Sequence, residues 1–184
     1  MKICLPDPAW LADEAGCETV AGCEMPALML IGGMHVIIGL VAIGYGVLAL
    51  LRDGMISSNH RFGQLYLVAT VLACMTAFGL FRNGFGAGHW LAVLTLAVMF
   101  AAALIGKARL LGGASLYVET IGYSATLLFH LLSAATEIGT RLPLGAPWAS
   151  GPMARGLLLL DAALVLLFLA VSGLQVRMLS QGEG

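Results

Sequence analysis

Five long apolar stretches limit what this chain of 184 residues can fold into. About 20 consecutive, mostly apolar residues cross the hydrocarbon core of a bilayer as an α-helix. The stretches of that kind are residues 26–51, 62–81, 87–106, 116–138 and 156–176. None shows the short apolar and polar alternation of a barrel strand, so each is expected to be helical. The sequence therefore predicts an all-α, polytopic membrane helix bundle with five transmembrane helices.

The composition excludes several classes of protein. Hydrophobic residues make up 60% of the chain and charged residues 10%, whereas soluble domains carry roughly 25% charged residues. So few charges cannot cover the surface of a water-soluble enzyme. A net charge of −1 provides no basic field for a nucleic acid, and four cysteines are too few for a secreted disulfide scaffold. The partner that remains is the lipid bilayer.

The distribution of basic residues predicts the orientation of the bundle. Lys and Arg are more frequent in loops on the cytoplasmic side of a membrane. An N-out/C-in topology places five of the nine basic residues in the cytoplasm: Arg52, Arg61, Lys107, Arg109 and Arg177. We therefore expect a multi-pass membrane protein with an N-out/C-in orientation. It comprises an extracytoplasmic segment 1–25, a five-helix domain 26–178 and a short cytoplasmic tail 179–184.

The N-terminal segment does not have the pattern of a signal peptide, because it is acidic and contains Pro6 and Pro8. It contains Cys4, Cys17 and Cys23, and an oxidising compartment permits a disulfide between two of them. The spacing does not decide which two pair.

A polar stripe runs along the fourth predicted span. Its members follow one another at steps of three or four residues, which places them on one helical face: Glu119, Tyr123, Thr126, His130, Ser133 and Glu137. Ser and Thr often bond to their own helix backbone, and both glutamates lie near the span's ends, so a structural interpretation remains open. The functional interpretation depends on His130, which lies deep in the span.

Further ionisable residues are predicted to lie at a similar depth in the membrane. At 1.5 Å per residue, His35 lies about 13 Å, His130 about 12 Å and Asp161 about 8 Å below the outer ends of their spans. His89 lies just above them, at the start of the third span. Ionisable side chains in a membrane usually face a bundle interior or a cavity. The sequence therefore predicts a polar site in the outer leaflet.

The residue types are consistent with three interpretations of this site. One b-type haem has His35 and His130 as axial ligands and fits beside Gly32 and Gly39. A single transition metal has His35, His130, Asp161 and His89 as ligands. Without a cofactor, the stripe of span four lines a path for protons or a small polar solute. His60, which precedes the second span, is an alternative inner site with Glu119.

Two segments carry a family resemblance: Gly33-Met34-His35 through Gly39 and Gly44, and His60-Arg61-Phe62-Gly63-Gln64-Leu65-Tyr66. They resemble the bacterial membrane family catalogued as domain of unknown function 2306, in which a histidine in one span precedes a His-Arg-x-Gly-x-x-Tyr start of the next. The resemblance implies a fold and gives weight to His35 and His60. A similar pattern occurs in membrane cytochromes that hold haem b. This chain differs from them because it lacks a second matched histidine pair.

The leading expectation is a small membrane protein with one haem b near its outer face, acting in electron transfer or as a redox subunit beside a redox partner. If it is an enzyme, it is a membrane oxidoreductase component. The alternatives are a cofactor-free proton or solute transporter and a structural accessory subunit of a larger membrane complex.

Overall fold

The structure, a computed structural model, describes residues 9–79, 86–141 and 146–182, with side chains described from Leu30 onward except at positions 87 and 182. These residues form five helices: α1 Ala9–Asp53, α2 Arg61–Phe78, α3 Ala87–Ala108, α4 Ala114–Arg141 and α5 Arg155–Gly182. The prediction of an all-α fold is confirmed within these ranges.

Within the described ranges, four helical segments are long and apolar enough to cross a membrane. They are Leu30–Asp53, Arg61–Phe78, Gly88–Ala108 and Arg155–Gln181. Helix α4 corresponds to the fourth predicted span but is not among these segments, although it has 28 residues. Its polar stripe lowers its mean hydropathy, which is expected of a helix that faces other helices rather than lipid.

Two helices extend beyond the predicted spans. Helix α1 begins at Ala9 and continues through Pro26, so position 25 does not end an element. Residues 9–25 are rich in Ala and Glu, which favour helix. Helix α5 continues to Gly182, and most of the predicted tail 179–184 is therefore helical. Cys4 lies outside the described residues, as do the side chains of Cys17 and Cys23.

The helices form a ring of four with a fifth helix outside it. Helix α1 packs against α2 and α4, and α3 also packs against α2 and α4, which closes the ring. Helix α5 packs on the outer side of α4. Among the described residues, no Cα atom of α2 comes within 8 Å of a Cα atom of α4. These two helices lie diagonally across the ring, and side chains fill the space between them.

Candidate functional site

Polar side chains from α2 and α4 meet at the centre of the ring. The Tyr66 hydroxyl lies 2.7 Å from the Thr126 hydroxyl, and both residues are 0% exposed. Thr70, one turn after Tyr66 on the same helix face, lies near the Tyr66 hydroxyl, and its own hydroxyl is 3.1 Å from Nε2 of His130. The His130 ring also meets the Tyr66 ring edge-on, with centroids 6.3 Å apart. We call Tyr66, Thr70, Thr126 and His130 the central cluster.

His35 is bound to the same helix α2, two turns further along. Its Nδ1 donates a hydrogen bond to the Ala73 carbonyl at 3.0 Å and lies 3.0 Å from the Thr76 hydroxyl. The imidazoles of His35 and His130 are near enough to interact electrostatically. Their partners Thr70 and Thr76 are about 9 Å apart along α2. Helix α2 therefore receives both histidines, one from α1 and one from α4.

Glu119 lies at the other end of the α4 stripe, beside the loop 54–60 between α1 and α2. Glu119 is buried, with 8% of the residue exposed, and its Oε1 accepts a hydrogen bond of 3.0 Å from the Ser58 hydroxyl. The Tyr123 side chain, one turn after Glu119 on α4, is buried beside them. A Cβ at Gly106 of α3 would collide with Glu119 Oε2, so this glycine leaves room for the carboxylate. We call Ser58, Glu119 and Tyr123 the loop-end cluster.

The His-Arg-x-Gly-x-x-Tyr segment holds this loop in place. His60 Nδ1 lies 3.4 Å from the Asp53 carboxylate, so its partner is Asp53 and the predicted pairing with Glu119 does not form. At Gly63 any Cβ would overlap the Ser57 carbonyl, because the loop backbone crosses directly over the first turn of α2. Gln64 donates to the Ser58 carbonyl at 3.0 Å. The segment thus positions Ser58 in the loop. Its last residue, Tyr66, belongs to the central cluster.

The remaining stripe residues lie outside these clusters. Glu137 forms an exposed ion pair with Arg141, one turn later on α4, and Ser133 is half-buried. Gly32 and Gly39 are also half-buried, and a Cβ at Gly39 would meet nothing within 4 Å. Open space beside Gly39 is therefore present, although no described contact links it to either histidine.

The predicted four-residue metal site is not assembled. The described part of the chain contains no group of three or more His, Cys, Asp and Glu side chains that could hold a metal ion. His89 accepts a hydrogen bond from the Gly86 backbone in the first turn of α3, while Asp161 lies on α5, outside the ring. Similar depth along different helices does not bring side chains together, since each also needs the right rotation about its own axis.

Sequence reasoning missed two sets of contacts. One is the α2 face of Tyr66, Thr70, Ala73 and Thr76, whose three- and four-residue spacing follows the same rule that revealed the α4 stripe. The other is Gln175 of α5, which is fully buried, exchanges hydrogen bonds with Ser124 and donates to the Gly54 carbonyl at 3.3 Å. The sequence signal for Gln175 is its neutral side-chain amide within an otherwise apolar helix.

Comparison with models of protein families, with curated proteins and with solved structures finds no match for this chain.

Proposed function

We propose that this protein is a multi-pass membrane protein that carries protons along the polar side chains inside its helix ring. The observation that supports this most is the central cluster, in which hydroxyls of α2 and α4 meet across the ring and end at His130. Hydroxyl groups donate and accept hydrogen bonds at once, and imidazole exchanges protons near neutral pH. Such a cluster in a membrane interior is a candidate proton relay.

The two clusters and His35 define the order of the relay. A proton enters at Glu119 in the loop-end cluster, passes Tyr123 to the central cluster, and leaves through His130 and His35. The Thr126 hydroxyl donates to the Tyr123 carbonyl at 2.8 Å, which places the clusters side by side along α4. A carbonyl does not relay protons, so a water molecule is needed to bridge the hydroxyls there. A second water is needed along α2, between Thr70 and Thr76.

The relay needs α4 to cross the membrane, and we propose five spans with an N-out/C-in orientation in a bacterial inner membrane. Burial of the α4 polar face inside the ring supports a fifth crossing despite its lower hydropathy. Reporter fusions after residues 57, 84, 111, 148 and 182 test the count, because the reporter should alternate in compartment at each successive site. Fusions after residues 111 and 148 that report the same compartment would remove α4 as a span.

Proton flux through purified protein in liposomes tests the function. A pH-sensitive dye inside the vesicles reports the flux when a potassium gradient and valinomycin impose a membrane potential. Glu119→Gln should abolish flux, because the entry carboxylate is lost. Thr70→Val should slow flux about ten-fold, the effect of roughly 1.4 kcal/mol on the barrier.

Thr95→Val is the matched control for Thr70→Val. Thr95 is also a buried threonine, but its hydroxyl donates to the Leu91 carbonyl of its own helix. Its loss should leave flux unchanged. Equal flux in wild type, Thr70→Val and Glu119→Gln would contradict the proposal and would favour a structural accessory subunit, in which these contacts only hold helices together.

One haem b, and with it electron transfer, is the second candidate function. The observation that favours it is the hydrogen bond from His35 Nδ1 to the Ala73 carbonyl, the kind of contact that orients a ligating imidazole and leaves Nε2 for the metal. His130 fits less well, because its Nε2 is engaged with Thr70. A bound haem would supply a one-electron carrier, and His130 would have to turn away from Thr70 to serve as a ligand.

A further inference from the structure

We propose that the loop 54–60 is a cover over Glu119, and that Glu119 exchanges its proton with the adjacent aqueous phase only when Ser58 is displaced. The purpose of such a cover rests on the proposed function. The contacts that support the cover are those of the loop-end cluster alone. The cover places a gate at one end of the relay.

Glu119 is enclosed on two sides. Helix α3 lies against its Oε2 at Gly106, and the loop covers its Oε1 through the Ser58 hydroxyl. Glu119 is buried, with 8% of the residue exposed, although the nearby loop residues Asn59 and His60 are exposed. Ser58, which contacts the carboxylate, is thus followed directly by exposed residues of the loop. A small displacement of the loop admits water to the carboxylate.

The cover is fastened by contacts that do not involve Glu119. The Gln64 side chain donates to the Ser58 carbonyl, and the backbone N–H of Asn59 donates to the Ser57 hydroxyl at 3.2 Å. At its other end the loop begins at Gly54, which has a positive φ of 73° and accepts a hydrogen bond from Gln175 of α5. The loop is thus held by α2 and α5 on either side of Ser58, and loosening either contact is expected to open it.

Chemical labelling of the carboxylate tests the cover without measuring transport. Wild-type protein in liposomes is treated with a water-soluble carbodiimide and a glycine amide nucleophile, and the modified peptides are quantified by mass spectrometry. Glu119 should be modified slowly. In Ser58→Ala and Gln64→Ala its labelling should be about five-fold faster, the population change controlled by a hydrogen bond of about 1 kcal/mol.

Two controls accompany the labelling. Asn59→Ala removes an exposed side chain of the same loop and should leave Glu119 labelling at the wild-type rate. Glu137, exposed and distant from the loop, should label equally in every variant. Gln64→Ala retains the Ser58 hydroxyl, so it remains informative if Ser58→Ala does not fold.

The outcomes separate this inference from the proposed function. Identical Glu119 labelling in wild type, Ser58→Ala and Gln64→Ala overturns the cover, whatever the flux. Faster labelling in both variants supports the cover. If flux is then independent of Glu119, the proton relay fails while the cover stands as a property of the loop.

Discussion

The hydroxyl of Tyr66 on α2 meets the hydroxyl of Thr126 on α4 at 2.7 Å, although the backbones of these two helices do not approach one another. The contact spans the diagonal of the ring. A tyrosine side chain is long enough to reach across, whereas an aliphatic side chain would leave the Thr126 hydroxyl without this partner. Buried polar atoms in proteins are almost always hydrogen-bonded, and this pair satisfies both partners.

Tyr66→Phe should therefore destabilise the protein by about 1 kcal/mol, since it removes the bridge but keeps the ring. Thermal unfolding in detergent, followed by circular dichroism, measures the change. Tyr45→Phe is the matched control, because Tyr45 is half-buried and stacks on Phe62 at 6.4 Å, away from the central cluster. A loss of the same size in both variants would show that the bridge contributes nothing specific.

Gly63→Ala should cost about 1–3 kcal/mol of stability, because its Cβ would meet the Ser57 backbone and one of the two segments must shift. In the same unfolding assay, Gly39→Ala should be neutral or gain up to about 1 kcal/mol, since its Cβ meets open space and alanine favours helix. The prediction is wrong if the two glycines tolerate alanine equally.

Gln175→Ala should destabilise the packing of α5, because it breaks the hydrogen bonds to Ser124 and to the Gly54 carbonyl in one step. We expect a loss of about 1–3 kcal/mol, the cost of leaving buried polar groups unpaired. Proteolysis of the α5 end under native conditions should accelerate accordingly. Gln181→Ala, at an exposed position near the end of α5, is the control and should not change the cleavage rate.

A visible spectrum decides between the two candidate functions. If haem b is bound by two imidazoles, purified protein should show a Soret band, with sharp α and β bands on reduction. His35→Ala and His130→Ala should each remove these bands, whereas His60→Ala, which loses only the Asp53 contact, should retain them. Colourless wild-type protein at normal yield would eliminate the haem proposal and leave the proton relay untouched.

Several features of the site were accessible from periodicity. The step of three or four residues placed Glu119, Tyr123, Thr126 and His130 on one face of α4, and that face is the one buried in the ring. The histidine of the fourth span and His35 were singled out because ionisable residues are costly in lipid. Their hydrogen-bond partners, Thr70 and Thr76, carry no comparable signal, because hydroxyl groups in apolar helices are common and each is uninformative on its own.

Depth was a poor guide to contact. His89 and Asp161 lie at levels similar to His35 and His130 in the sequence estimate, yet His89 is in the first turn of α3 and Asp161 is on the helix outside the ring. Ser58 carried no signal at all, because a serine in a short polar loop is expected whether or not it covers a carboxylate.

The amino-acid sequence by itself determined that the chain is suited to a lipid bilayer, that its apolar segments are helical and that α4 has a polar face. These features are accessible because hydropathy and the 3.6-residue period are local properties. Only the tertiary structure decided that α2 and α4 face each other across a ring, that both histidines bind α2, and that Ser58 lies on Glu119. Those contacts join residues 38 to 61 positions apart. They depend on the rotation and crossing of whole helices, which no local pattern encodes.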